Sequence, residues 1–177
     1  MKVLAIGASN SKNSINKKFA TYAAMQLKNV VVESVDLNDY SMPIYGIDLE
    51  NDSGIPDNAK RFSDLVKSSD GIVLSLAEHN SNFTAVFKNL TDWMSRLEGK
   101  TWHNKKIFLL STSPGGRGGA GVMNVALNSM PYSGADIVSH FSLPKFNEYF
   151  SDSGISDSAL NSKYRAALST FQMALQT

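Results

Sequence analysis

The sequence predicts an α/β domain in which one parallel sheet is covered by helices on both faces, and three observations carry that expectation. Short apolar runs of strand length recur along the chain, each closed by a polar or glycine-led loop. Between them lie segments whose apolar residues return every three or four positions, the period of a half-buried helix. The two kinds of segment alternate through the chain without a repeat, a low-complexity tract or a linker, which favours right-handed strand-helix-strand crossovers in a single domain spanning 1–177.

The elements follow in order. Residues 2–7 (KVLAIG) are the first strand, and Ile15, Phe19, Tyr22, Ala23 and Leu27 mark the first helix. Residues 30–35 (VVVESV) are the second strand, because their β-branched side chains lose freedom in a helix. Residues 36–56 mix proline, glycine and polar residues without a period and read as a long loop. Asp57 is then a candidate cap for a short helix carrying Phe62, Leu65 and Val66. Residues 71–77 (GIVLSLA) are the third strand. From 83 to 97, Phe83, Val86, Phe87, Leu90, Trp93, Met94 and Leu97 form the strongest helical pattern in the chain. Residues 105–111 (KKIFLLS) are the fourth strand, a glycine-rich loop and a helix from 120 to 130 follow, and 135–141 (ADIVSHF) is the fifth strand. The last helix starts at Ser156 as its cap, with Ile155 and Leu160 as the flanking apolar pair and Tyr164, Leu168, Phe171 and Leu175 continuing the buried stripe.

Composition narrows the chemistry. Seventeen basic and sixteen acidic residues give a formal charge of +1, so no general attraction toward nucleic acid or an anionic membrane is expected. The absence of cysteine excludes disulfides, thiol catalysis and cysteine-ligated clusters. Three histidines, at 79, 103 and 140, form no HExxH pair, and Asp36, Asp39, Asp48, Glu50 and Asp52 lack a calcium-loop spacing, so no metal site is expected. Polar residues follow the short apolar start at once, which argues against a signal peptide or membrane span and points to the cytoplasm.

In a sheet of this kind, ligands bind at the carboxyl ends of the strands, near the reversal of winding, and that rule selects three loops at 8–16, 77–82 and 112–119. The first (ASNSKNSIN) sets Ser9, Ser11 and Ser14 between a strand and a helix start. Its hydroxyls and free amides suit a phosphate, while the plainer alternative is a polar turn with Ser14 as an ordinary cap. It lacks both GxGxxG and the GKS or GKT ending, so a terminal phosphate suits it better than a pyrophosphate. The second loop (AEHNSNF) can approach a heteroaromatic edge, with His79 either beside that ring or simply a loop histidine. In the third (TSPGGRGGAG), four glycines after Pro114 make a compact path that can bring amides to a ring, and Arg117 faces either ligand or solvent. Trp93 reads as core or subunit interface, and Trp102 with His103 as a surface turn.

Taken together, GASNSKNSIN at 7–16, AEHNSNFTAVFKNLTDW at 77–93 and STSPGGRGG at 111–119 resemble the NADPH-dependent FMN reductase family. The resemblance implies a flavodoxin-like three-layer α/β/α sandwich with a five-stranded parallel sheet in the order 2-1-3-4-5. It implies an FMN phosphate held around Ser9, Ser11, Ser14, Ile15 and Asn16. It also implies an isoalloxazine ring bordered by Ala77, Glu78, His79 and Asn80, with Ser113, Gly115, Gly116 and Arg117 at the ring's polar edge. The sequence departs from the family pattern in three places: Ala77 stands for a proline, His79 for a tyrosine and Ser11 for a common arginine. The last change removes a fixed charge and a five-donor fork, for which Lys12 or Lys17 are the candidate replacements. The implied activity is hydride transfer from NADPH or NADH to FMN and onward electron transfer to a flavin, a quinone, an azo compound or a similar small acceptor, with no catalytic side chain. The alternative is an electron carrier or flavin-binding regulatory protein reduced by a partner. Family members commonly assemble as homodimers or homotetramers, and the same is expected here.

Overall fold

In the computed structural model, which describes residues 1–176, five strands form one parallel sheet. They are β1 (Lys2–Ala8), β2 (Val31–Val35), β3 (Gly71–Leu76), β4 (Lys105–Thr112) and β5 (Ala135–Leu143), in the order β2-β1-β3-β4-β5. This is the expected flavodoxin-like topology. The winding reverses between β1 and β3, where Val3 pairs with Gly71 and Ala8 with Leu76, so the loops leaving these strands open on one crevice.

Helices α1 (Ile15–Met25), α2 (Ile47–Ser53), α3 (Asp57–Lys67), α4 (Ala85–Met94), α5 (Ala120–Ser129), α6 (Phe146–Tyr149) and α7 (Ser158–Leu175) complete the fold, with a small hairpin of β6 (Phe150–Ser151) and β7 (Gly154–Ile155). The sheet has a core on each face. Under α1 and α7 it is aromatic, with Phe19, Phe108, Phe141, Tyr164 and Phe171 in mutual contact. Under α3, α4 and α5 it is mainly aliphatic, with Leu4, Ile6, Leu74, Leu90 and Val122 around Phe62, Phe87 and Trp102. Each such buried side chain stabilises the fold by about 1.5–3 kcal/mol. Gly71 lets α7 close on the sheet, because a Cβ there would stand 2.5 Å from the Leu175 side chain.

Several expectations from the sequence are corrected. Residues 36–56 are not a plain loop: a 3₁₀ turn at Leu37–Tyr40, capped by the Asp36 carboxylate accepting from the Asn38 amide, precedes α2. Both pieces are too short to show a helical period. Asp57 lies inside the first turn of α3, and Pro56 holds the cap position. Trp102 does sit in a turn before β4, but its side chain is not at the surface: it is 1% exposed and stacks on Phe87 at 6.0 Å. Asp157 rather than Ser156 caps α7, accepting from the Leu160 amide at 2.8 Å, while the Ser156 amide and hydroxyl are both turned to Tyr149 O. The fourth helix is shorter than its apolar pattern, since Thr84 caps it and leaves Phe83 outside. The described residues contain no helix long and apolar enough to cross a membrane and no group of three or more potential metal ligands.

Candidate functional site

The first loop is built on one close approach and one buried latch. At Gly7 a Cβ would lie 2.4 Å from the Lys17 amide nitrogen, so only glycine lets α1 cross the end of β1. The chain then turns tightly, with Ser9 N–H donating to Gly7 O at 2.8 Å and Ser14 N–H to Ser11 O at 3.1 Å. The Ser14 hydroxyl caps α1 by accepting from the Lys17 amide at 3.1 Å. Asn16, 3% exposed, points inward. Its Nδ2 donates to Thr112 O at 3.2 Å, and its Oδ1 accepts from the Ser75 hydroxyl at 2.7 Å and the Thr112 amide at 3.2 Å. One side chain thereby ties the start of α1 to β3 and β4.

What remains free in this loop is a set of donors. The amides of Ile15 and Asn16, in the first turn of α1, donate to no group among the described residues, and no acidic side chain sits in that turn. The Ser11 side chain is exposed, and the Ser9 Oγ accepts only from the Ser11 amide, at 3.1 Å, leaving its proton to donate. Amide donors at the positive end of a helix dipole, joined by hydroxyls, suit a phosphate. Of the two lysines considered as substitutes for the missing arginine, Lys17 is committed to Asp36 at 2.5 Å, while Lys12 is exposed and joins no ion pair among the described residues.

The second loop contains a tight turn that the sequence reading missed. His79 and Asn82 exchange backbone hydrogen bonds of 3.0 Å, and Asn80 and Ser81 between them both have positive φ, at 52° and 62°. This is the geometry of a type I′ turn, and it sends Asn80 outward. Glu78 does the opposite. Its Oε2 accepts from the Val122 amide at 2.8 Å and caps α5, whose own cap residue, Gly119, has no side chain to do so. Gly121 makes room for it, since a Cβ there would lie 2.7 Å from that carboxylate oxygen. Thr84, 1% exposed, donates to Ala8 O at 2.9 Å and so joins this loop to the first.

The third loop is fastened by its backbone. Lys145 and Phe146 donate to Gly115 O and Ser113 O at 2.9 and 3.0 Å. Gly118, at φ 59°, lies so close to the chain at 143–144 that a Cβ would meet backbone atoms at 2.8 Å. Gly115 and Gly116 are different: both are exposed, a Cβ on Gly116 would meet nothing within 4 Å, and their amides bond no other protein group.

These loops converge on one cleft of about 200 Å³. Ser9, Ser11, Ser14, Ile15 and Asn16 line one side, Ala77, Glu78 and His79 another, and Ser113 a third. Asn80 and Gly115 are not among its walls, and Gly116 and Arg117 open instead on a neighbouring cleft behind the third loop. Asn13, Thr112 and Pro114 also line the site but were not singled out from the sequence. Their proximity to the strand ends was the only signal available. The donor set fits FMN: hydroxyls and free amides face the place for a phosphate, and exposed loop backbone faces the place for a ring. Because sites for ligands of this size usually measure about 300–1,000 Å³, this cleft has room for a phosphate and one edge of a ring and would leave the rest open.

A family model described as NADPH-dependent FMN reductase matches residues 1–148. An uncharacterized protein of Mycoplasma pneumoniae is 36% identical over 108 residues, a stretch that spans 61% of either chain. A quinone reductase of Pseudomonas putida is 29% identical over 132 residues, 73% of this chain and 69% of that one. An NADPH azoreductase of a Bacillus species is 31% identical over 146 residues, 82% of this chain and 74% of the relative. Among solved structures, the flavoenzyme NAD(P)H:(acceptor) oxidoreductase FerB of Paracoccus denitrificans superposes with a TM-score of 0.77 at 22% identity, covering 99% and 97% of the two chains.

Proposed function

The chain belongs to the NADPH-dependent FMN reductase family, and from that premise we propose that it is an FMN-dependent NAD(P)H oxidoreductase acting on a flavin, quinone, azo compound or similar small acceptor. The observation that carries the proposal is the meeting of three loops, distant in sequence, around one set of free donors at the start of α1. FMN, when bound, would supply the redox chemistry, hydride acceptance from a nicotinamide coenzyme and electron delivery to the acceptor.

The protein's part is to bind and to position. The Ile15 and Asn16 amides and the Ser9, Ser11 and Ser14 hydroxyls hold the phosphate, with Lys12 adding positive charge from the loop. Ala77 and His79 border the ring, and Ser113, with the free amide of Gly115 just outside the cleft, would serve its polar edge. Asn16, Glu78 and Thr84 hold the three loops at fixed spacing, so little reorganisation accompanies binding. No side chain is required as a nucleophile. A homodimer or homotetramer is part of the same proposal, because a neighbouring subunit over the open side of the cleft would shield the ring from water. Light scattering that finds only a monomer across working concentrations would overturn that part.

The test is an anaerobic absorbance titration of FMN-loaded protein with NADPH and then NADH. Rapid loss of the oxidised-flavin band is the expected result. Tight FMN binding without bleaching by either coenzyme would favour the carrier or regulatory alternative, and failure to bind FMN would overturn both.

A further inference from the structure

Resting on the FMN site proposed above, we infer that His79 couples the redox potential of bound FMN to pH, by setting beside the ring a positive charge that comes and goes near neutrality. Only two of the side chains lining the FMN cleft can ionise, Glu78 and His79. Glu78 is already engaged, since its carboxylate accepts from the Val122 amide at 2.8 Å and caps α5. His79 is held differently. Its backbone is fixed by the paired 3.0 Å hydrogen bonds with Asn82, while its imidazole is exposed and joins no hydrogen bond or ion pair among the described residues. The turn therefore keeps at the cleft a ring that can gain a charge, with both nitrogens free for a ligand.

The charged groups on the surrounding elements do not compete for this part. In the first loop Lys12 is exposed and Lys17 is paired with Asp36, and on α4 Lys88 is paired with Asp92. Beyond the third loop Arg117 opens on the neighbouring cleft, and Lys145 is paired with Glu148. Lysine, arginine and carboxylate side chains ordinarily keep their charge between pH 5 and 8, whereas histidine changes its own. The other two histidines lie elsewhere, His140 on that neighbouring cleft and His103 against the Ser63 hydroxyl at 2.9 Å. Two departures from the family pattern bear on the same point. Ser11 leaves the phosphate side without a fixed guanidinium, and His79 puts a titratable cation where the pattern has a neutral tyrosine. The lining thus carries no permanent positive side chain, and its one optional cation is among the residues that border the ring. A positive charge there favours the form of the ring that holds more electrons, so protonation of His79 raises the potential.

The test is the midpoint potential of FMN-loaded protein as a function of pH, measured by equilibration with reference dyes and without any nicotinamide, for the wild type, His79→Gln and His79→Lys. At about pH 5.5 the wild type should exceed His79→Gln by the equivalent of a roughly tenfold preference for reduced FMN, about 30 mV for a two-electron couple. The two curves should converge by about pH 8.5, where the imidazole is neutral. His79→Lys should stay above His79→Gln at both ends, because its charge is permanent over this range. Parallel curves for the wild type and His79→Gln, or a His79→Lys curve that coincides with that of His79→Gln, would overturn the inference. The reductase reading fails separately: a pH-dependent offset due to His79 with no bleaching by NADPH or NADH would keep the inference and reject that reading. Bleaching by either coenzyme with parallel potential curves would do the reverse, and failure to bind FMN would overturn both.

Discussion

The first and third loops border the same cleft, yet the first reaches its neighbours with its own side chains while the third is gripped mainly through its backbone carbonyls. In the first, Ser14 caps α1 and Asn16 reaches across to β3 and β4, so hydroxyls and an amide carry the architecture. In the third, the loop is gripped mainly through its carbonyls: Ser113 O and Gly115 O accept from the Phe146 and Lys145 amides and Gly118 O from the Ser111 hydroxyl, with Gly118 pressed against the chain at 143–144. The difference teaches how to divide each loop into scaffold and contact surface. Among the serines of the first loop the buried Ser14 caps α1 as well as lining the cleft while Ser11 stands at the surface, and among the glycines of the third loop a similar division separates buried Gly118 and Gly119 from exposed Gly115 and Gly116.

The sharpest way to break this division is a pair of alanines in the third loop. Gly118→Ala combines a left-handed backbone with a Cβ 2.8 Å from backbone atoms and should cost about 3 kcal/mol or more, read by urea denaturation. Gly116→Ala has open space and should change stability by no more than about 0.5 kcal/mol. Equal losses would erase the distinction. In the first loop, Asn16→Ala strands the Thr112 amide and carbonyl and the Ser75 hydroxyl in the interior, and should cost about 2–3 kcal/mol in the same assay while also weakening FMN.

Smaller effects probe the contact half. Ser11→Ala should leave stability unchanged and weaken FMN about fivefold, whereas Ser11→Arg should tighten it about tenfold and make it more salt-sensitive, as read by flavin-fluorescence quenching. No change with either variant would remove Ser11 from the phosphate site. Glu78→Ala takes the cap from α5 and should cost about 1 kcal/mol, loosening the coupling between the second and third loops. The smallest effect concerns Asp36, whose carboxyl is held below its ordinary value first by its hydrogen bond from Lys17 and then by the Asn38 amide. Its contribution is present above pH 4 and fades as the pH falls through the lowered value. For a half-exposed pair, Asp36→Asn should cost less than about 1 kcal/mol at neutral pH, and the variant's acid denaturation curve should run closer to the wild type's as the pH drops.

Much of this molecule was legible without coordinates. The five strands and the principal helices are written in apolar runs and three-to-four spacing, because burial of a strand or of a helix face leaves a local, periodic mark. The three ligand loops were legible for the same reason: each lies at the end of a strand that its apolar run identifies. What the sequence hid has no local period. The turn at 79–82 depends on two residues other than glycine at positive φ, α2 is only two turns long, and the burial of Trp102 depends on Phe87 packing beside it.

By itself, then, the order of residues determined the α/β alternation, the three loops and the supply of donors in the first, since composition and spacing along the chain suffice for each. The tertiary structure alone decided which donors are free. Asn16 and Ser11 look alike as polar loop residues, but one is turned toward the ends of β3 and β4 and its side chain is engaged there, while the other stands at the surface. Likewise the sequence could place Arg117 in the third loop but not beside Lys163, which is 46 positions away and is brought to the same cleft only when α7 packs along β5. Hydrogen-bond satisfaction and charge proximity are set by partners remote in sequence, so they exist only once the chain has closed.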